Sequence, residues 1–384
     1  MSVNRSEYLM NDLRSKSNKH ERIAFINDHL GQGGVGSVNR KLMQYLIGEG
    51  YEIYNVTIFE KAEIDGAENH FLNLSAFQAA LILPLLFKLF KFFIRTKAQY
   101  IISSKDYVNI WVIVAFRLAR CKNSKLLVNS HIAVTKKLEM GSKHIQRWSL
   151  SCARYLYRFS DLVANVSEEA SRDSELYFGL PKVYTLYNGI VTRDEIGKRF
   201  ACPNHPFFFG QKKVIVACGR LEEQKNYKLM IRAFAKLVGQ GADLYLVILG
   251  EGSLRNQLEI MIEALDVGDR VSLAGFQPEP RAFMAHCDLF WLTSWFEGFG
   301  VVLVEALSVG APILSVDCPH GPREILQDGR YGKLVKSFAV EPNVHALREA
   351  INEPRPDPKR LMERSMDFEI SVCADRYMEI LRTK

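Results

Sequence analysis

Short apolar runs alternate with helix-length amphipathic segments along this chain, and the alternation stops once and then restarts. Residues 22–27, 52–58, 99–103, 125–129, 161–165 and 182–186 read as strands. Helical patterns lie between them at 36–50, 76–97, 109–119, 145–159 and 168–178. Strands that are apolar throughout, each followed by a helix, predict a parallel sheet covered on both faces. The stretch 192–210 breaks the pattern, with Pro203, Pro206 and few periodic apolar residues, and reads as a linker. Strands then resume at 213–217, 243–249, 270–273, 289–292 and 312–315, with helices at 227–238, 254–264, 280–285 and 301–309. The expectation is an α/β chain of two doubly wound Rossmann-like domains, 1–192 and 211–366, joined by a linker at 193–210. A last helical segment, 367–384, is placed to pack across the domain boundary. Doubly wound sheets bind ligands at the carboxyl ends of their strands, so two such domains facing each other predict a ligand cleft.

Length agrees, because 384 residues exceed one ordinary core. The seven cysteines are scattered and include no C-x-x-C pair, which fits a reducing compartment and speaks against a disulfide framework or a zinc site. The polar first twenty residues lack a signal pattern, so the cytoplasm is expected. Charge is uneven. Residues 1–195 carry 26 Lys and Arg against 19 Asp and Glu, whereas 196–384 carry 24 of each. The basic excess belongs to the first half, which suits an anionic lipid surface, a lipid-linked phosphate or a nucleic acid. General solubility is the plain alternative. No nucleic-acid-binding motif accompanies the excess, so nucleic acid is not expected as a partner.

Several turns carry candidate chemistry. Gly31-Gln32-Gly33-Gly34-Val35-Gly36 follows the first strand and matches G-x-G-x-x-G. Gly33 and Gly34 would let a phosphate or sugar approach a helix N-terminus; a tight strand–helix turn is the structural alternative. His131 ends an apolar strand, on the cleft side, and a satisfied buried histidine is the alternative there. Asn188-Gly189 is a turn signal that can also present backbone groups. The second domain opens with Gly219-Arg220, then Lys225-Asn226 before a helix. These offer a guanidinium fork and a point charge for phosphate oxygens. Glu297-Gly298-Phe299-Gly300 leads into an apolar helical run ending at Glu305. A glycine turn at a helix start seats phosphate, and the two carboxylates suit sugar hydroxyls.

In order and spacing, Gly219-Arg220, Lys225-Asn226, Gly250-Glu251-Gly252, Gly275-Phe276 and Ser294 to Glu305 resemble glycosyltransferase family 4, retaining enzymes of the GT-B fold. Glu297 and Glu305 form its E-x7-E pattern. The segment Asp317-Cys318-Pro319-His320-Gly321-Pro322-Arg323-Glu324-Ile325-Leu326 resembles a subgroup that builds bacterial surface polysaccharides and lipid-linked oligosaccharides, and departs from the commoner Gly-Gly form of that loop. The resemblance implies that Arg220 and Lys225 neutralise the donor diphosphate and Glu305 takes the ribose hydroxyls. It implies that Glu297 and the backbone of Gly298, Phe299 and Gly300 hold the donor sugar. Phe276 would lie beside the base and His131 near the anomeric carbon, with Gly33, Gly34 and Asn188 also on the donor. It further implies transfer of a hexose or N-acetylhexosamine from a UDP-sugar to a lipid-linked saccharide. No D-x-D motif precedes an apolar strand, so neither a metal nor another cofactor is expected. Three readings compete: an NAD-dependent oxidoreductase using the glycine loop, a nucleotide-sugar epimerase on the same fold, and a non-catalytic subunit of a polysaccharide assembly complex.

Residues 69–87 contain no Asp, Glu, Lys or Arg, but Asn73, Ser75, Gln78 and Pro84 interrupt them and Lys88 follows. A transmembrane helix is not expected. Within 76–97, Leu83, Phe87, Phe90 and Ile94 form one stripe and Lys88, Lys91 and Arg95 another, which suits a helix lying in an anionic membrane interface. The alternative is a stripe packed on the sheet.

Overall fold

The computed structural model describes residues 21–30, 34–72, 82–131, 134–139 and 144–383. They divide into two compact units, Met1–Asn129 with Leu156–Leu162 and Ser130–Tyr155 with Val163–Lys384. This division does not coincide with the sequence-drawn boundary at 192–211.

In the first unit, β1 (Arg22–Asn27), β2 (Glu52–Thr57), β3 (Glu68–Phe71), β4 (Tyr100–Ser104) and β5 (Lys125–Ser130) run parallel in the order β3-β2-β1-β4-β5. The sequence pattern does not reveal β3. Its residues are Glu-Asn-His-Phe, and it is an edge strand with no buried residue. Polar side chains hold it instead, with Asn55 Nδ2 donating to Asn69 Oδ1 at 2.8 Å. Gly34 opens the helix Gly34–Gly48, while Gly31, Gln32 and Gly33 lie outside the described residues.

The helix Ile82–Arg95 buries Leu85, Leu89, Phe92 and Phe93. It packs on the helix Asp106–Ala119, where Phe93 meets Phe116 edge-on at 5.8 Å. Its other side stays open, with Leu83 79%, Phe87 64% and Ile94 59% exposed beside exposed Lys88, Lys91 and Arg95. Phe90 is half-buried. The part of the expected 76–97 helix before Ile82 lies outside the described residues. Among those described, no helix is long and apolar enough to cross a membrane.

The second unit holds β6 (Leu162–Asn165) from its second residue onward, its parallel partner β7 (Tyr184–Thr185), and a six-stranded sheet. That sheet comprises β8 (Lys213–Cys218), β9 (Leu244–Leu249), β10 (Val271–Gly275), β11 (Leu289–Leu292), β12 (Ile313–Val316) and β13 (Lys333–Val335). Its order is β10-β9-β8-β11-β12-β13, again reversing direction between the first strand and the fourth. Side chains alternate across each strand. Val214 and Val216 of β8 therefore enter one core, with Leu303 and Leu361 of the helices Val301–Ser308 and Pro358–Ser365. Ile215 and Ala217 enter the other, with Phe234, Leu258 and Leu347 of the helices Tyr227–Gly239, Arg255–Ala264 and Val340–Asn352. Sequence reasoning does not find β13, a three-residue edge strand, or the helices Val340–Asn352 and Pro358–Ser365 that follow it.

Within 193–210 two short 3-10 turns form, and Phe207 of the second stacks on Tyr245 at 4.0 Å. The helix Ile370–Arg382 closes the chain. Ile370 N–H donates to Val191 O at 2.9 Å, and Ile190 N–H donates to Phe368 O at 3.0 Å. A Cβ on Gly189 would come within 2.4 Å of Ile370 Cδ1, so the Asn188-Gly189 turn is packed beneath this helix.

Two turns at the carboxyl ends of β8 and β9 interlock through glycine. A Cβ on Gly250 would lie 2.1 Å from Gly219 O, and Gly250 has φ +137°. Gly250→Ala therefore meets a backbone clash and a strained dihedral together. We expect it to lower the thermal midpoint by at least several degrees or leave the protein insoluble. Gly48→Ala, with nothing within 4 Å, should hold or raise the midpoint, since helical glycine costs about 0.5–1 kcal/mol relative to alanine. Equal midpoints for the two variants would refute the interlock.

Candidate active site

Every residue of this site lies in the second unit, around the carboxyl ends of β8 and β11. After β8 the chain turns through Gly219, φ +152°, where a Cβ would come within 2.8 Å of Lys225 Cε. Arg220 follows, exposed, with no carboxylate in ion-pair reach among the described residues. A 3-10 turn, Glu223–Lys225, ends at Asn226 in the left-handed region, φ 51°. Asparagine tolerates that conformation better than most residues. The reversal aims Lys225 back over the turn.

Lys225 Nζ meets Glu297 Oε1 at 2.7 Å, with 14% and 8% of the two side chains exposed. Ser294 Oγ donates to the same oxygen at 2.6 Å. The two loops are also tied through their backbones. Trp295 N–H donates to Gln224 O at 2.8 Å, Gln224 Nε2 to Phe296 O at 3.0 Å, and Thr293 Oγ1 to Lys225 O at 3.1 Å. The pair is thus fixed by the chain on both sides. Gln224 and Thr293 were not among the sequence candidates; Ser-x-x-Glu spacing was the available signal for Ser294.

Glu297 leads into the glycine turn. A Cβ on Gly298 would lie 2.6 Å from His131 O, so the His131 backbone abuts this turn. Gly300, φ 98°, precedes the helix Val301–Ser308. No group among the described residues accepts from the backbone N–H of Phe299 or Gly300. Glu305 lies one helical turn further on and is half-buried. It is close enough to Cys218 to act on that thiol. Burial pushes the thiol up to about 12; Glu305 adds to the shift and Lys225 opposes it. Lys225 and Glu305 thus both lie near the Cys218 thiol, while Lys225 itself pairs with Glu297.

A second network braces the turn from behind. A Cβ on Gly321, φ +117°, would strike Phe299 O at 1.7 Å, so the 317–326 loop lies directly on the turn. Both oxygens of Glu324 accept from the Glu168 N–H at 3.0 Å, and Tyr187 Oη donates to one of them. Burial raises the Glu324 carboxyl, and the bonds from Tyr187 and Glu168 pull it back. Burial and the neighbouring Glu324 raise the Tyr187 phenol. The Tyr187 ring packs against Phe299 at 5.6 Å. Asn188, next in sequence, is buried, and its Oδ1 has no partner among the described residues. Phe276 is 59% exposed after Gly275, whose carbonyl accepts from Gly250 N–H at 2.7 Å.

The structure therefore brings together Lys225, Glu297, Gly298, Phe299, Gly300, Glu305 and the His131 backbone. Arg220 and Phe276 stand on neighbouring βα turns. Gly34 belongs to the first unit, and Gly33 lies outside the described residues. Among the described residues no group of three or more His, Cys, Asp and Glu side chains is placed to hold a metal. A buried lysine, an uncommitted arginine and open amides at a helix start make a seat for a multiply charged phosphate. The adjoining carboxylates are acceptors for hydroxyl groups.

Solved structures share this architecture. The chain aligns over 94% of its length with 99% of HepE from Anabaena bound to UDP-glucose, at TM-score 0.74 and 19% identity. It aligns over 93% of its length with 98% of the lipopolysaccharide outer core galactosyltransferase WaaB, at TM-score 0.71 and 19% identity. Those likenesses define a GT-B fold of two Rossmann-like domains. The family model "Glycosyltransferase Family 4" matches residues 32–194, and "Glycosyl transferases group 1" matches 203–367. The chain belongs to glycosyltransferase family 4 and is a glycosyltransferase.

Among curated relatives, an uncharacterized glycosyltransferase of Methanocaldococcus jannaschii is 29% identical over 285 residues, 68% of this chain and 69% of that protein. A Campylobacter jejuni N-acetylgalactosamine-N,N'-diacetylbacillosaminyl-diphospho-undecaprenol 4-alpha-N-acetylgalactosaminyltransferase is 35% identical over 182 residues, 47% of this chain. The lipopolysaccharide core biosynthesis glycosyltransferase LpsE of Rhizobium meliloti is 32% identical over 178 residues, 44% of this chain. The chain spans about half the length of these last two relatives.

Removing one partner of a buried ion pair leaves an uncompensated charge, at about 3–5 kcal/mol. Lys225→Met should lose stability on that scale in urea unfolding. Adding Glu297→Gln should recover at least half of the loss. A double variant no more stable than the single one would show that the pair is not coupled.

Proposed function

We propose that this protein is a retaining glycosyltransferase of bacterial surface-polysaccharide assembly. It takes a hexose or N-acetylhexosamine from a UDP-sugar and gives it to a lipid-linked saccharide. The observation that carries the reading is the seat itself, where Lys225 is pinned to Glu297 beside free amides with Arg220 uncommitted. Support for the pathway comes from the relatives named for lipopolysaccharide and diphospho-undecaprenol substrates. HepE, crystallised with UDP-glucose, supports the donor class.

In this reading Arg220, Lys225 and the amides of Phe299 and Gly300 hold the diphosphate and stabilise charge on the departing UDP, the work a metal does elsewhere. Glu297 accepts from sugar hydroxyls, Glu305 from the ribose, and Phe276 flanks the base. Asn188 and His131 complete the donor pocket, with His131 beside the anomeric carbon. The acceptor hydroxyl attacks C1 on the face that UDP leaves, and a donor phosphate oxygen takes its proton. The Ile82–Arg95 helix supplies a membrane contact, with Leu83, Phe87 and Ile94 entering the interface and Lys91 and Arg95 meeting anionic headgroups.

Incubation with a panel of nucleotide-sugars and bacterial lipid extract should release UDP from one donor, unchanged by EDTA. Arg220→Ala removes charge-assisted bonds worth about 1.5–3 kcal/mol, which predicts a KM for donor raised roughly 10- to 100-fold. Failure of every donor to turn over would end this reading. Each lysine near an anionic leaflet contributes on the order of 1 kcal/mol. Lys88→Glu with Lys91→Glu should therefore release the protein from phosphatidylglycerol vesicles and leave UDP binding intact. Full retention on vesicles would remove the helix from the membrane contact.

A further inference from the structure

A cavity of about 470 Å³ opens in the second unit among the first residues of β8, β11, β12 and β13, namely Lys213, Leu289, Ile313 and Lys333. Parallel strands put these first residues at one rim of the sheet, and Arg220 and Glu297 follow its other rim. A six-residue strand separates the rims by roughly 20 Å. The cavity is a second site, separate from the donor seat.

Its charge is lopsided. Asp288 and Glu353 are the acids on its wall, against Lys213, Lys333 and three arginines. Asp288 accepts from the Val214 N–H at 2.7 Å, and Glu353 is held by Lys333 at 2.5 Å. Lys213 donates to Ile351 O at 2.5 Å. Arg330, Arg355 and Arg360 remain, exposed and with no carboxylate in ion-pair reach among the described residues. They are partly ordered. The guanidinium groups of Arg330 and Arg360 lie 5.5 and 5.4 Å from the centre of the Tyr331 ring, and Arg360 donates to Arg330 O at 3.1 Å. Cation–π contact holds a guanidinium without consuming its donors, so Arg330 keeps its fork and Arg360 keeps the donors not given to Arg330 O for phosphate oxygens. Pro312 and Leu361 add an apolar floor, and the volume falls within the range of small-molecule sites, about 300–1,000 Å³.

We infer that this cavity binds a soluble phosphorylated small molecule, its phosphate held by Arg355 and Arg360 with Arg330 beside them. The cavity is recessed at the strand rim and open to solvent on one side, and its volume suits a compact ligand. The site rests on none of the donor-seat residues and stands whatever sugar the enzyme transfers.

Inorganic pyrophosphate is the probe, followed by calorimetry at low salt. Wild-type protein should bind two equivalents. Arg220→Ala should weaken one of them at least tenfold, and Arg355→Ala with Arg360→Ala the other. The lysine pair Arg355→Lys with Arg360→Lys should keep part of the second. Two equivalents on the alanine pair, or a single equivalent on wild type that Arg220→Ala abolishes, would overturn the inference. Phenylglyoxal labelling of the unmutated protein gives an independent reading if the alanine pair folds poorly. Pyrophosphate should slow modification of Arg355 and Arg360 at least fivefold, and unchanged labelling of both would also overturn it.

Discussion

The ion pair between Lys225 and Glu297 is the constraint on which the rest of the donor seat depends. Two nearly buried charges gain little net stability from each other, because the loss of hydration offsets their attraction. They do exclude alternatives. Neither loop can move away without leaving a charge in a poorly solvated pocket. The bonds from Gln224 and Thr293 to backbone carbonyls of the facing loop make the same demand, and Ser294 fixes the Glu297 carboxylate from within its own loop. In the proposed reading the groups that hold the diphosphate are therefore fixed in place before the ligand arrives, and their reorganisation does not add to the barrier.

Around that pair the architecture is decided by where no side chain fits. Gly250 against Gly219 O, Gly298 against His131 O and Gly321 against Phe299 O each join two chain segments at backbone contact distance. The amides of Phe299 and Gly300 are left at the head of a helix with no acceptor among the described residues. Glu324 performs a related task further back. Its carboxylate caps the helix that begins at Glu168, where the helix dipole favours a negative group. It thus ties the 317–326 loop to the segment bearing Ser167, whose hydroxyl reaches Gly298 O at 3.4 Å.

Periodicity carried most of the fold, because strands buried on both faces leave apolar runs and their helices leave amphipathic ones. It failed at β3 and β13, edge strands of four and three residues held by polar contacts or by pairing alone. The E-x7-E segment and the Lys225 turn were legible because their glycines and charges are local in sequence. The pairing of Lys225 with Glu297 was not, since 72 residues separate them. Nor was the role of Glu324, 156 residues from the amide that it caps. Sequence marks His131 by its ring, and the structure brings its carbonyl to the site.

The pair also bears on what Glu297 can do. Its Oε1 already accepts from Lys225 and Ser294, and its Oε2 accepts from nothing among the described residues. A carboxylate so engaged has lost much of its nucleophilicity, because displacing a leaving group would draw charge away from the ammonium group it neutralises. A single free oxygen is what a sugar hydroxyl needs. The arithmetic of charge points the same way. In the proposed reading a diphosphate brings about two negative charges to a seat holding Arg220 and Lys225, while Glu297 and Glu305 subtract from the positive side and the helix start returns roughly half a charge. The seat is short of full neutralisation with substrate bound. In the proposed reading it comes closer if sugar hydroxyl protons take up the lone pairs of Oε2, so that donor sugar and diphosphate would be held better together than either alone.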